Sequence, residues 1–115
     1  MRRDVRAYLA EVVEASDLIG QFIADQGVEA YRSDPMLQSA VERQLGIVGR
    51  SLDRLARTDP ALAARIPDIG TISGLRDDLA HGYDVVRDEV VWEASTVDLP
   101  GQAAEASALL AELEG

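Results

Sequence analysis

The chain has 115 residues and a formal net charge of −10 at neutral pH, with 21 acidic residues against 11 basic ones, all of them arginine. That length suits one folded unit of roughly 100 to 150 residues, and the acidity excludes nucleic-acid binding driven by an overall positive field, because such binding draws its affinity from neutralised phosphates. Zero cysteines exclude disulfides, thiolate metal sites and a cysteine nucleophile, and one histidine excludes a multi-histidine metal centre within one chain.

Hydrophobic residues make up 47% of the chain, yet no uninterrupted apolar run approaches the roughly 20 residues needed to span a bilayer. The basic start Met1-Arg2-Arg3 leads to Glu11 and Glu14 rather than to an apolar signal segment. A soluble, cytoplasmic protein with no membrane association is expected.

From Val5 onward, Val5, Leu9, Val12, Ile19 and Ile23 recur in helical steps, with small Ser16 at the missing position. Asp25-Gln26-Gly27 supplies the stop, glycine being able to take the left-handed conformation that closes helices. Val28 to Arg32 is expected to form one turn. Asp34-Pro35 then gives a cap followed by a proline at the first helical position, so a second long helix should run from Met36 to Arg57. Its apolar stripe is Val41, Leu45, Val48, Leu52 and Leu55. At roughly 100° per residue, Arg43, Arg50, Arg54 and Arg57 fall in a narrow band on the opposite side. That band is either a solvated face, with pairs such as Asp53 and Arg57 at helical spacing, or a surface that contributes to RNA or partner binding.

Asp59-Pro60 repeats the cap-then-proline signal and predicts a short helix through Ala64, broken at Ile66-Pro67-Asp68-Ile69-Gly70. Thr71 or Ser73 is expected to open the next helix, with Ile72, Leu75 and Leu79 pointing inward. Asp88 and Glu89 suit a helix N-terminus, and the surrounding pattern favours helix over strand for Val90 and Val91. Pro100-Gly101 is expected to interrupt or kink the chain before a last helix from Ala103 to Leu113. The predicted fold class is all-α: an up-and-down bundle of four long helices plus short connecting helices, with 1–115 as a single helical domain.

The chemistry concentrates in Gly74-Leu75-Arg76-Asp77-Asp78-Leu79-Ala80-His81-Gly82-Tyr83, which holds the only histidine. Imidazole titrates near neutral pH. Arginine can grip a phosphate through paired hydrogen bonds and stabilise charge developing at phosphorus. Together they suit metal-free RNA cleavage, with the histidine exchanging a proton with a ribose 2′-hydroxyl or the leaving oxygen. On one straight helix, His81 would lie about 140° around the axis from Arg76 and roughly 7.5 Å along it. The pair then meets only if the helix bends or ends near Gly82, or if a second copy of the chain supplies the partner group. Tyr83 would point nearly the same way as Arg76, whereas His81 would face away from Ile72 and the apolar stripe. A solvent-facing histidine without a role is the competing interpretation.

Arg76-Asp77-Asp78-Leu79-Ala80-His81 resembles the signature of the HEPN superfamily, an arginine and a histidine separated by four to six residues with a polar residue after the arginine. Its extension to Gly82-Tyr83 resembles the HepT family, the toxin half of HepT/MNT toxin-antitoxin systems. Val41-Glu42-Arg43-Gln44-Leu45 with Ile47-Val48-Gly49, and Val91-Trp92-Glu93 with Asp98-Leu99-Pro100, are similar to flanking segments of that family. The resemblance implies a HEPN-like helical homodimer acting as a metal-independent ribonuclease without a cofactor. Arg76 and His81 would be catalytic, and Asp77 the supporting polar residue. It further implies silencing by an MNT-type nucleotidyltransferase antitoxin that transfers AMP from ATP onto Tyr83.

Three departures from the family pattern stand out: Gly49-Arg50-Ser51 where Gly-Glu-Ala is frequent, Asp77 where asparagine is common, and a shorter connector between Pro67 and Gly74 that lacks a tryptophan. Arg50 adds positive charge useful for RNA or partner binding, whereas Asp77 with Asp78 opposes RNA. The alternative from another functional class is a catalytically silent helical module that binds a nucleotidyltransferase partner. A DNA-binding regulator is disfavoured, since no predicted helix joins a basic face to base-reading polar residues.

Overall fold

The computed structural model describes residues 2–72, 74–75 and 87–115. Helix α1 spans Arg2–Ile23 and buries Val5, Leu9, Val12, Ala15 and Ile19. Ala15 rather than Ser16 completes the stripe, so the buried face runs slightly to one side of the expected one. Its end also differs from expectation. Asp25 takes the left-handed conformation at φ 62°, which its short polar side chain tolerates, whereas Gly27 is extended at φ −115° and precedes α2 (Val28–Arg32).

Helix α3 spans Pro35–Thr58. Asp34 starts it by accepting hydrogen bonds from the Met36 and Leu37 amides, both at 3.1 Å, which satisfies donors that have no partner within the helix. The Gln38 amide reaches back to the Tyr31 and Arg32 carbonyls at 3.0 and 3.1 Å, closing the end of α2 against the start of α3. All five residues of the predicted stripe are buried. Asp59 both terminates α3, its amide donating to the Leu55 carbonyl, and caps α4 (Pro60–Ala63) through the Leu62 amide.

Turns over 64–69 lead to helical backbone at 70–72 and 74–75, where Ile72 and Leu75 are buried as predicted. The remainder of the expected fourth long helix, including Leu79, lies outside the described residues. Helix α5 (Arg87–Glu93) continues through a π-helical turn (Ala94–Asp98) directly into α6 (Leu99–Glu114). The expected interruption at Pro100-Gly101 is therefore replaced by a change of helical pitch. Proline has no amide to donate and its ring crowds the carbonyl four residues back. In this structure the Leu99 amide donates to the Ala94 carbonyl, five residues back, and the chain passes Pro100 without breaking.

Helix α1 packs on α3 and α6, α2 on α3 and α5, and α4 on α3. The first pair is antiparallel: Ser51 Oγ donates to Glu11 Oε2 at 2.7 Å, while Leu18, later in α1, shares a groove with Gln44, earlier in α3. Leu9, Ile19, Leu45, Leu52, Leu99 and Leu109 lie fully buried between these helices, and each leucine holds about 2–5 kcal/mol against truncation to alanine. The architecture is all-α, with no strand among the described residues. Among them, no helix is long and apolar enough to cross a membrane.

Candidate functional site

The chain approaches the 76–86 stretch through a tightly gripped connector. Gln102 of α6, fully buried, donates from Nε2 to the Pro67 and Asp68 carbonyls at 3.1 and 2.9 Å. Asp68 sits at φ 51°, and its carbonyl also accepts from the Thr71 amide at 2.9 Å, the bond that begins the helical turn toward Leu75. Outside this grip, Arg65 forms hydrogen-bonded ion pairs with Glu112 at 2.6 Å and Glu105 at 3.2 Å. The hydrogen bond from Arg65 holds the Glu112 carboxyl below its ordinary range, and the Arg65 guanidinium is correspondingly shifted upward.

On the far side of the same stretch, Arg32 of α2 pairs with Glu29 and with Glu89 in the first turn of α5. One helical turn later the Tyr31 ring meets Trp92. Both chain segments that flank residues 76–86 are thus packed against the bundle. Between them lies an open groove of about 720 Å³, whose described lining includes Gly70, Thr71, Gly74, Val90, Glu93 and Asp98. The glycines keep its wall low, since among the described residues a Cβ at Gly70 or Gly74 would meet nothing within 4 Å. Arg76, Asp77, His81 and Tyr83 lie outside the described residues.

The four arginines of the α3 band, Arg43, Arg50, Arg54 and Arg57, are all exposed, as the helical arithmetic predicts. Arg43 and Arg50 line a 320 Å³ groove together with Glu11 and Glu14 of α1. Arg54 and Arg57 are not part of that lining. Sequence reasoning treated the band as uniform and missed the two glutamates, although their spacing beside the Leu9/Val12 face was a usable signal. It also missed Gln102, whose burial no periodicity announces in a helix this rich in alanine. Among the described residues, no three His, Cys, Asp or Glu side chains are grouped closely enough to hold a metal ion.

The sequence profile of the family described as Ribonuclease HepT-like matches residues 12–109. Among curated proteins, "Probable ribonuclease HepT" of Thermococcus cleftensis is 31% identical over 100 residues, covering 87% of this chain and 90% of that protein. "Putative RNase MJ0127" of Methanocaldococcus jannaschii is 27% identical over 114 residues, covering 99% of this chain and 93% of its own length. "Putative RNase TTE0752" of Caldanaerobacter subterraneus is 26% identical over 95 residues, covering 83% and 84% of the two chains. No solved structure matches the chain. With an all-α architecture and a family match over residues 12–109, the chain belongs to the HepT-like ribonucleases.

Proposed function

We propose that this protein is the toxin of a HepT/MNT-type toxin-antitoxin pair, a single-domain, metal-independent endoribonuclease whose catalytic pair is Arg76 and His81. The observation that carries this reading is the family match over residues 12–109, which spans both residues and Tyr83. In the proposed reaction the ribose 2′-oxygen attacks the adjacent phosphorus, the P–O bond to the 5′-oxygen breaks, and a 2′,3′-cyclic phosphate remains. A base takes the 2′-hydroxyl proton and an acid protonates the departing 5′-oxygen. His81 fits either role, and a homodimer supplies two copies of it. Arg76 balances the charge that builds on the equatorial phosphate oxygens, with Asp77 as the supporting polar group. Proton transfer of this kind contributes about 10²- to 10⁴-fold, which suits a slow toxin.

Silencing follows from the placement of Tyr83 two residues after His81 in the chain. AMP transferred from ATP onto its hydroxyl by an MNT-type nucleotidyltransferase, with loss of the hydroxyl proton and release of pyrophosphate, adds an anion beside the site and opposes RNA phosphate, by the logic of phosphorylation. The purified protein should cleave RNA in the presence of EDTA, and Arg76→Ala and His81→Ala should each abolish cleavage and growth arrest while keeping a native helical spectrum. Growth arrest by both variants would overturn the assignment. Intact mass after co-expression with the antitoxin should show AMP adducts that are absent in Tyr83→Phe.

One observation favours the second reading, a silent module that docks a nucleotidyltransferase. Glu93 and Asp98 line the groove flanking the 76–86 stretch, in a chain already carrying −10, and such charge opposes RNA. Stable co-purification with the antitoxin combined with no RNA cleavage by the free protein selects this reading.

A further inference from the structure

We infer that the outer face of α1 and α3 docks a second copy of this chain, about a two-fold axis that runs along the groove between the two helices. The pairing concerns α1 and α3 alone and holds whether or not the chain cleaves RNA.

The two helices carry opposite charge on this face. At about 100° per residue, Glu11, Glu14 and Asp17 lie together on the side of α1 away from buried Leu9 and Val12, and Glu14 and Asp17 are exposed. Arg43 and Arg50 take the corresponding side of α3 and are exposed as well. Between the ridges the groove has an apolar lining of Ala15, Leu18 and Ile47, with Glu11 and Glu14 contributed by α1 and Arg43 and Arg50 by α3. Among the described residues, no ion pair within the chain engages Glu14, Asp17, Arg43 or Arg50. An acidic ridge therefore runs beside a basic one, with these four charges left for a partner.

Symmetry and charge together select the partner and its orientation. Copies of one chain associate most often about a two-fold axis, each presenting the same patch. For two copies laid face to face, that axis lies in the plane of contact. An axis across the helices sets α1 on α1 and α3 on α3, like charge on like charge. An axis along the groove sets each α1 on the other copy's α3, opposite charges on both sides, which is the arrangement that complementary interfaces use.

The heights agree with the second arrangement. Helices α1 and α3 are antiparallel, and the Ser51–Glu11 hydrogen bond marks Glu11 as level with Ser51. Asp17 stands roughly 9 Å further along α1, level with Leu45. Rotation about an axis along the groove leaves height unchanged. Glu11 and Glu14 of one copy thus arrive within about 3 Å of the height of Arg50 in the other, and Asp17 within about 3 Å of that of Arg43. Gly46 lies between the two arginines on α3, where among the described residues a Cβ would meet nothing within 4 Å. Glycine inside a helix is destabilising relative to alanine, and no contact in the described fold needs it there; it lowers the ridge over which a second α1 passes. A polynucleotide in the same groove would meet the α1 carboxylates, which oppose its phosphates, whereas a second copy satisfies both ridges at once.

The test is a charge swap, read as molecular mass by sedimentation velocity. Glu14→Arg/Asp17→Arg and Arg43→Glu/Arg50→Glu should each, alone, have half the wild-type mass. An equal mixture of the two variants should regain the wild-type mass, because every α1 then faces an α3 of opposite sign. The first variant moves the net charge from −10 to −6, two units per reversal, so it would associate more strongly if overall repulsion between acidic chains governed assembly. Glu93→Arg/Glu114→Arg makes the same change at exposed positions on α5 and α6 and should keep the wild-type mass. Should the first variant lose its helical spectrum, Glu14→Arg alone replaces it. A monomeric wild type, including one that gains mass only with a nucleotidyltransferase or RNA, would overturn the inference. So would wild-type mass in either swapped variant, a mixture that stays at half mass, or loss of mass in the control.

Discussion

The Tyr31 and Trp92 rings meet with centroids 5.7 Å apart and planes inclined by 46°, a tilted aromatic contact of the favourable kind. It joins α2 to α5. Tyr31 is 0% exposed, so removing its ring leaves a cavity that the surrounding helices can only partly close. Tyr31→Ala should lower unfolding stability by about 3–5 kcal/mol, the range for large aromatic truncations. Trp92 is the only tryptophan, which makes its fluorescence a local probe of this contact. Urea unfolding followed at that emission should show a lower midpoint with an unchanged slope, the pattern of lost stability without altered cooperativity.

The cap at the start of α3 gives a smaller and more local prediction. Asp34 accepts from two amides of the first turn, and Asp34→Ala leaves both without that partner. The expected cost is about 1 kcal/mol, read as a lower thermal midpoint, whereas Asp34→Asn, an equally good capping residue, should stay close to the wild type.

The elements with a strong helical period were legible before any coordinates. The predicted Val41 to Leu55 stripe is buried in full, with Gly49 and Ser51 buried beside it, and the Asp34-Pro35 and Asp59-Pro60 pairs predict the two boundaries of α3, because capping is local chemistry written in adjacent residues. Errors arose where tertiary context decides. Asp25 rather than Gly27 takes the left-handed position, and the π-helical turn carries the chain past Pro100, an accommodation that no propensity encodes. For the site, the exposure of Arg43, Arg50, Arg54 and Arg57 followed from 3.6-residue arithmetic. The glutamates that share a groove with two of them come from a different helix and needed the α1/α3 register. Gln102 was invisible because its role depends on a contact with residues more than thirty positions away in sequence.

That division of the arginine band yields a prediction about RNA affinity. Glu11 and Glu14 line the same groove as Arg43 and Arg50, and carboxylates along a groove oppose phosphate, so the Arg43/Arg50 end should contribute less than the Arg54/Arg57 end. Each full phosphate contact to single-stranded nucleic acid contributes about 0.7 to the salt slope. The double variant Arg54→Gln/Arg57→Gln should therefore flatten the logarithmic dependence of affinity on salt by about 1.4. Arg43→Gln/Arg50→Gln should flatten it by clearly less. Binding of a 2′-O-methyl RNA, which lacks the attacking hydroxyl, measures this without turnover, and equal slopes for the two doubles would refute the division.

The Arg65–Glu112 pair makes the connector sensitive to acid. Arg65 hydrogen-bonds Glu112 and holds its carboxyl below the ordinary value of 4.5, so between the two values the unfolded chain binds the proton that the folded chain does not. Stability therefore rises with pH across that window. The contribution is complete above about 4.5 and is lost as pH falls through the depressed folded value, where the carboxyl protonates and releases Arg65. The guanidinium, shifted upward by the same bond, stays charged throughout and adds no window of its own below strong alkali. Glu112→Gln should melt slightly below the wild type at pH 7, by a small margin because the pair is exposed. The gap should close as the medium is acidified below pH 4.5 and shrink with added salt at neutral pH. A gap that persists at low pH would show that Glu112 supports α6 by packing rather than by charge.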